Sequence, residues 1–195
     1  AARKNANAAG IIAPMSAPMR RTPVCAGVAT RICLVRESRA AMPSIARWLS
    51  ISLLVIVLDQ LGKLWVIGAF QYGDGVAITS FFNLVHARNT GAAFSFLANE
   101  SGWQRFFFIG IAVAASIFIT YLLRKHASER WFSLALSLVL GGALGNLIDR
   151  VRFGYVVDFL DFYYGAWHFP AFNVADSAIS VGAALLILDS LRKKS

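Results

Sequence analysis

At 195 residues, with 57% hydrophobic and only 15% charged side chains and a mean hydropathy of +0.60, the chain lies well outside the range of soluble globular proteins. Its net charge of +9 raises nucleic acid as a partner, but no aromatic-interleaved basic face accompanies that charge, and membrane topology accounts for most of it. Composition therefore sets aside a water-soluble enzyme and a nucleic-acid-binding module, and leaves a membrane protein.

Residues 1–41 are rich in Ala, Arg, Ser and Pro, hold a single acid, Glu37, and have no uninterrupted apolar run because Arg31 splits the best one. They are expected to form a disordered basic leader. Met42 opens MPSIARWLSISLL, which reads as a natural membrane-protein start, so the expected domain is 42–195. Both cysteines, Cys25 and Cys33, lie in the leader, where a structural disulfide is not expected. His86, His126 and His168 are scattered without zinc-type spacing, and neither a metal nor a cofactor is expected.

Four windows then follow, 48–70, 103–123, 131–148 and 172–191, each near the roughly 20 residues that cross a hydrocarbon core of about 30 Å. They predict four transmembrane helices. Of the 19 basic residues, eight precede the first window, three lie between the second and third, and three follow the fourth. The positive-inside rule then places both termini in the cytoplasm and the loops 71–102 and 149–171 outside. The first outer loop contains VAITSFFNLVHARNTGAAFSFL, whose β-branched and aromatic residues, broken by a turn at Asn89, Thr90 and Gly91, predict a small outer sheet. In the third helix Gly141, Gly142 and Gly145 would let another backbone or a ligand approach closely.

The charges inside these segments carry the chemistry. Asp59 and Lys63 are one turn apart in the first helix and can pair on one face, either as an ion pair holding the bundle or in support of a site. Asn173 is a good N-cap for the fourth helix, with Asp176 three positions on, where capping and catalysis are both open. Asp158 follows Val156 and Val157 after a turn at Gly154 and should be dry, whereas Asp161, among Phe162, Tyr163 and Tyr164, reads as an interfacial residue. Asp149 and Arg150 are neighbours that point in different directions on a helix, leaving Arg150 either to grip a carboxylate or carbonyl or to snorkel. Two carboxylates from different helices in a low-dielectric site share one proton, which is aspartic-protease chemistry. A proton-coupled transporter would also keep Asp59, Asp158 and Asp176 at membrane depth, but these acids gather toward the outer face rather than the midplane.

The segments DQLGK (59–63), RNTGAAFSF (88–96), GGALGNLIDRVRFGYVVDF (141–159) and FPAFNVADS (169–177) stand in order across about residues 45–191. In these the chain resembles the lipoprotein signal peptidases, the bacterial signal peptidase II family. The resemblance implies a four-helix bundle with an extracytoplasmic β-rich cradle on the membrane surface, in the inner membrane. It also implies an aspartyl endopeptidase that cleaves prolipoproteins just before a diacylglyceryl-modified cysteine. Carried over by motif, the catalytic pair is Asp158 and Asp176. Asn89, Asn146, Arg150 and Asn173 would position substrate and pair, with Asp59 and Lys63 in support. Gly142 would line a groove for acyl chains. Prolipoprotein and membrane lipid are the implied partners, with the enzyme acting as a monomer.

Overall fold

A computed structural model describes residues 27–91 and 103–193, with side chains from residue 45 onward. The chain divides into two compact units, Ala1–Arg39 and Ala40–Ser195, and all that follows concerns the second. Of the leader, residues 1–26 lie outside the described residues and Gly27 onward is helical; the segment 92–102, which holds most of GAAFSF, also lies outside.

Four helices carry membrane-grade spans: α1 (Gly27–Ala69, with its span at Ile45–Ala69), α2 (Trp103–Lys125), α3 (Arg130–Arg152) and α4 (Val174–Arg192). The expected windows 103–123 and 131–148 fall inside α2 and α3, while 48–70 and 172–191 overrun α1 by one residue and the start of α4 by two. The outward faces are apolar, as with Leu54, Leu61, Phe106, Ile117 and Ile187, all exposed. A helix that is apolar on its exposed side is matched to lipid, not water.

α3 is the hub, with half of its span buried against 28, 17 and 11% for α1, α2 and α4. Its glycines explain how. In lipid, apolar contact alone does not drive helices together, so close backbone packing and polar contacts must do so. A Cβ at Gly141 would meet Ser52 O at 2.8 Å and Val55 Cβ at 2.7 Å on α1, and one at Gly142 would run into Ala175 O on α4. Gly182 of α4 returns the contact, facing Ala135 O of α3. Ser52 Oγ donates to Ser137 O at 2.8 Å across the α1–α3 contact. At one end of the bundle Trp48, Ile119, Leu123, Leu136 and Leu140 form a buried cluster, and Trp48 Nε1 donates to Ala127 O.

The opposite end carries an antiparallel sheet in the order β1 (Gly75–Thr79), β2 (Phe82–Asn89), β3 (Val156–Tyr164) and β4 (Trp167–His168). The first outer loop does supply strands, but their turn lies between Thr79 and Phe82, and Asn89 ends β2. The second outer segment departs from expectation in two ways. α3 continues through Asp149 and Arg150 to Arg152, so the loop begins later than 149. Beyond Gly154, whose φ of +85° suits a residue without a side chain, the chain becomes β3, so Asp158 sits on a strand and not at a helix end. β3 pairs with β2 in a register that sets Ala87 opposite Asp158 and Asn83 opposite Asp161.

Phe172 ties the sheet to α4. Its carbonyl accepts from Phe159 N and Leu160 N, and its own N–H donates to Leu160 O at 3.0 Å. The start of α4 is thereby held against β3.

Gly142 is closed in by α4, so it packs helix on helix instead of lining a groove. Adding one methyl there, Gly142→Ala, must push Ala175 and the start of α4 away. We expect a destabilisation of about 1–3 kcal/mol, read as a lower melting temperature in detergent, and an unchanged melting temperature would show that this contact is looser than described.

Candidate active site

The site is assembled where β3, α3 and α4 meet, and each carboxylate has a local reason for its position. At the start of α4, Asn173 is the N-cap and its side chain accepts from Asp176 N at 2.9 Å, so the expected cap is present. The same residue's Nδ2 donates to Asp158 Oδ1 at 2.7 Å and lies 3.3 Å from Asn146 Oδ1. A single fully buried amide thus holds the helix start with one atom and the strand carboxylate with the other.

Asp176 receives its own amide. Asn146 Nδ2, from α3, donates to Asp176 Oδ1 at 2.7 Å. Asp158 also accepts a hydrogen bond from the Asn89 side chain at the end of β2. Asp158 and Asp176 both face one cavity of about 1050 Å³, which Arg88, Asn89, Phe108, Arg150, Phe172 and Ile179 help to line. Its walls are largely apolar with a few convergent polar groups, as binding sites for chemistry on apolar substrates usually are.

Asp158 is buried, as the dry setting after Val156 and Val157 suggested. Burial pushes its carboxyl up to about 7 and the nearby Asp176 charge adds to the rise, against the opposing pull of the Asn89 and Asn173 hydrogen bonds and the Lys63 charge. Arg150 faces the same cavity. Its Nη1 lies 3.3 Å from Asn146 O, its guanidinium sits 5.2 Å from the Phe108 ring centroid, and its buried Nε has no partner among the described residues.

Beneath the pair lies a buried ionic cluster. Lys63 Nζ is 2.8 Å from Asp59 Oδ2, so the expected one-turn pair forms, and it is equally close to Asp149 Oδ2 and 3.0 Å from Asn146 Oδ1. Asp149 was not singled out by its sequence context. Read only as a neighbour that points away from Arg150, it is fully buried and also accepts from Gln60 Nε2 at 2.8 Å. Its spacing of three from Asn146 was the available signal, since i and i+3 share a helix face.

Asp161 corrects a second expectation. It is 7% exposed instead of interfacial, because β2 and β4 cover it. Asn83 Nδ2 donates to it at 2.8 Å and His168 Nδ1 lies 2.9 Å from its Oδ2. It stands apart from the cavity that holds Asp158 and Asp176.

The other histidines also have structural neighbours, Phe70 O for His86 and Glu129 for His126. Among the described residues no three His, Cys, Asp or Glu side chains are grouped to hold a metal ion.

A family model described as signal peptidase (SPase) II matches residues 51–192. The chain is similar to the lipoprotein signal peptidase of Burkholderia vietnamiensis (strain G4 / LMG 22486), 58% identical over 156 residues, which is 80% of this chain and 94% of that one. It is 57% identical over the same length and shares to the lipoprotein signal peptidase of Burkholderia cenocepacia (strain HI2424). A bacterial membrane enzyme solved by the in meso method at 2.3 Å superposes with a TM-score of 0.70 at 36% identity, covering 77% of this chain and 90% of that one.

The raised Asp158 carboxyl ties the stability of the fold to pH. The folded chain binds this proton more tightly than the unfolded chain, whose carboxyl has the ordinary value of 3.8. The resulting stabilisation is complete below 3.8 and is lost as pH rises toward about 7. Asp158→Asn removes the titration, so at pH 8 it should melt above the wild type, by about 2–4 °C for each kcal/mol relieved. The gap should close near pH 4. Melting below the wild type at pH 8 would contradict the raised carboxyl.

Proposed function

The chain belongs to the signal peptidase II family, a peptidase of the bacterial inner membrane that removes signal peptides from prolipoproteins, and we propose that it does so as an aspartyl enzyme with Asp158 and Asp176 as its catalytic pair. The observation that carries this reading is the placement of both acids on one cavity with one of them raised to about 7. Such a pair holds a single proton near neutral pH.

Hydrolysis then needs no other group. Burial favours the proton on Asp158, whose partner across the cavity is the less buried Asp176. As a water adds to the scissile carbonyl, the ionised carboxylate takes one of its protons, and the protonated carboxyl donates to the carbonyl oxygen. The tetrahedral adduct collapses with proton transfer to the leaving nitrogen, and the pair returns to one shared proton. Asn146 and Asn173 hold the carboxylates while this occurs. Arg150, whose Nε has no partner among the described residues, is the group to hold a substrate carbonyl, and Asn89 joins it from the end of β2.

The family supports a more specific substrate, a prolipoprotein whose cysteine already carries a diacylglyceryl group, cut just before that cysteine. A signal peptide helix in the bilayer and acyl chains in the leaflet would bring the scissile bond to the depth at which α3 gives way to β3. The enzyme is proposed to act as a monomer. The basic residues around Arg47, Lys125 and Lys193 lie at the end of the bundle away from the sheet, which supports cytoplasmic termini and an outward-facing site. A proton-coupled transporter finds no support in the relatives or in the clustering of the acids at one end.

Purified protein with a diacylglyceryl-modified prolipoprotein in detergent tests the pair. Asp158→Asn and Asp176→Asn should each fold and cleave about 10²–10⁴-fold more slowly, and Asp161→Asn should keep most of the activity. In the wild type kcat/KM should fall as pH rises through about 7, where the shared proton is lost. Near-normal cleavage by either variant of the pair would remove that residue from the mechanism.

Orientation has its own test. Ala166→Cys, in the exposed turn between β3 and β4, should react with a membrane-impermeant maleimide in intact spheroplasts. Labelling only after lysis would invert the topology.

A further inference from the structure

Asp59 and Asp149 share a contact pattern that the catalytic reading leaves unused. Asp59 Oδ1 accepts from Ala175 N at 2.9 Å, and Ala175 immediately precedes Asp176. Asp149 Oδ2 accepts from Val157 N at 3.1 Å, and Val157 immediately precedes Asp158. Each buried carboxylate therefore holds the backbone of the residue just before one member of the pair. The two are joined by Lys63 Nζ, 2.8 Å from each.

We infer that Asp149 is a positioning residue for the reaction, the half of an Asp59–Lys63–Asp149 clamp that sets where β3 delivers Asp158 relative to Asp176. The inference rests on Asp158 and Asp176 being the catalytic pair.

The geometry gives each contact a task. Lys63 has three donors and uses them on Asp59, Asp149 and Asn146 Oδ1, which leaves the Asn146 amide turned with Nδ2 toward Asp176. Gln60 Nε2 donates to Asp149 Oδ1 at 2.8 Å, and also lies 3.2 Å from Gly145 O, so the second carboxylate oxygen is held from α1. Val157 O accepts from Asn173 Nδ2 at 3.2 Å. The backbone of Val157 is thus fixed at its N–H by α3 and at its C=O by the cap of α4, and Asp158 follows with little freedom. Reactions of this kind are sensitive to displacements of about 1 Å in the reacting groups.

The clamp also bears on the shared proton. Asp158 is faced by Asp176 from α4, Asn89 from β2, Asn173 before α4 and the Lys63 charge from α1. Arg150, from α3, acts on both acids of the pair through its charge. Releasing β3 from Asp149 separates Asp158 from Asp176, which weakens their mutual repulsion. The same change removes an acid that partly neutralises Lys63. Both effects favour the ionised pair, and the alkaline limb of the activity profile moves to lower pH.

The experiment uses the full chain in detergent with a diacylglyceryl-modified prolipoprotein. Asp149→Asn should keep KM within about threefold, lower kcat about 10–100-fold, and move the alkaline limb of kcat/KM to lower pH. Gln60→Met removes the donor on Asp149 while leaving every charge in place. It should lower kcat several-fold with a limb shift in the same direction, and it decides the matter if Asp149→Asn does not fold. A folded variant with kcat and limb unchanged overturns the clamp, as does a lower kcat with an unmoved limb, because a loss of general integrity would not retune the pair. Asp158→Asn and Asp176→Asn run beside them. If those two remain active the catalytic reading fails first, whereas inactive pair variants beside an unaffected Asp149→Asn sink the clamp alone.

Discussion

The contact on which the outer end of this bundle depends is the ammonium of Lys63 buried among Asp59, Asp149 and the Asn146 carbonyl oxygen. A charge at this depth is costly unless every donor is met, and removing one partner leaves another charge uncompensated. Here each donor has an acceptor from a named helix position. α1 contributes the cation and one acid, and α3 the second acid and the amide. Through the two carboxylates the arrangement reaches the backbone of α4 and of β3. The polar network is therefore a joint between four segments.

The two ends of the bundle are held by different physics. Toward the turn between α2 and α3, Trp48 and a group of leucine and isoleucine side chains pack as a small core, with serine hydroxyls spent on nearby carbonyls. Through the middle, Gly141, Gly142 and Gly182 bring backbones into contact where apolar attraction alone would not hold helices together in lipid. Gly145 marks the change of regime, since a Cβ there would meet the Asp59 carboxylate at 2.8 Å. Toward the sheet, charge and amide contacts take over. Close packing there also keeps the cluster dry, and dryness is what raises the carboxyl of Asp158.

Much of this was legible in the sequence where local rules govern. The four spans follow from apolar length, the Asp59–Lys63 pair from helix periodicity, the Asn173 cap from its place after Pro170, and the dry setting of Asp158 from the valines before it. What escaped depended on contacts between distant segments. β3 could not be read as a strand from VVDFLDFYY alone, because its partner is β2 and Asn83 meets Asp161 from 78 positions away. That pairing is also what buries Asp161, which its aromatic neighbours had suggested lay at an interface. Gly142 looked available to a ligand until α4 was placed against it. Asp149 was hidden for the same reason: one lysine serving two acids needs α1 packed on α3. The motifs named the residues of the site, but the division of labour among them came only with the packing.

The spacing of Asp59 and Lys63 also bears on how the protein enters its membrane. The two lie on one turn of α1, 2.8 Å apart, so the first span can cross the hydrocarbon as a neutral pair before α3 has been synthesised. Asp149 then arrives on the third span to meet a cation already in place. The order of the spans along the chain is thus also an order of charge compensation. A rearranged chain that presented Asp149 to the bilayer ahead of Lys63 would have to insert that acid with no ammonium to meet it.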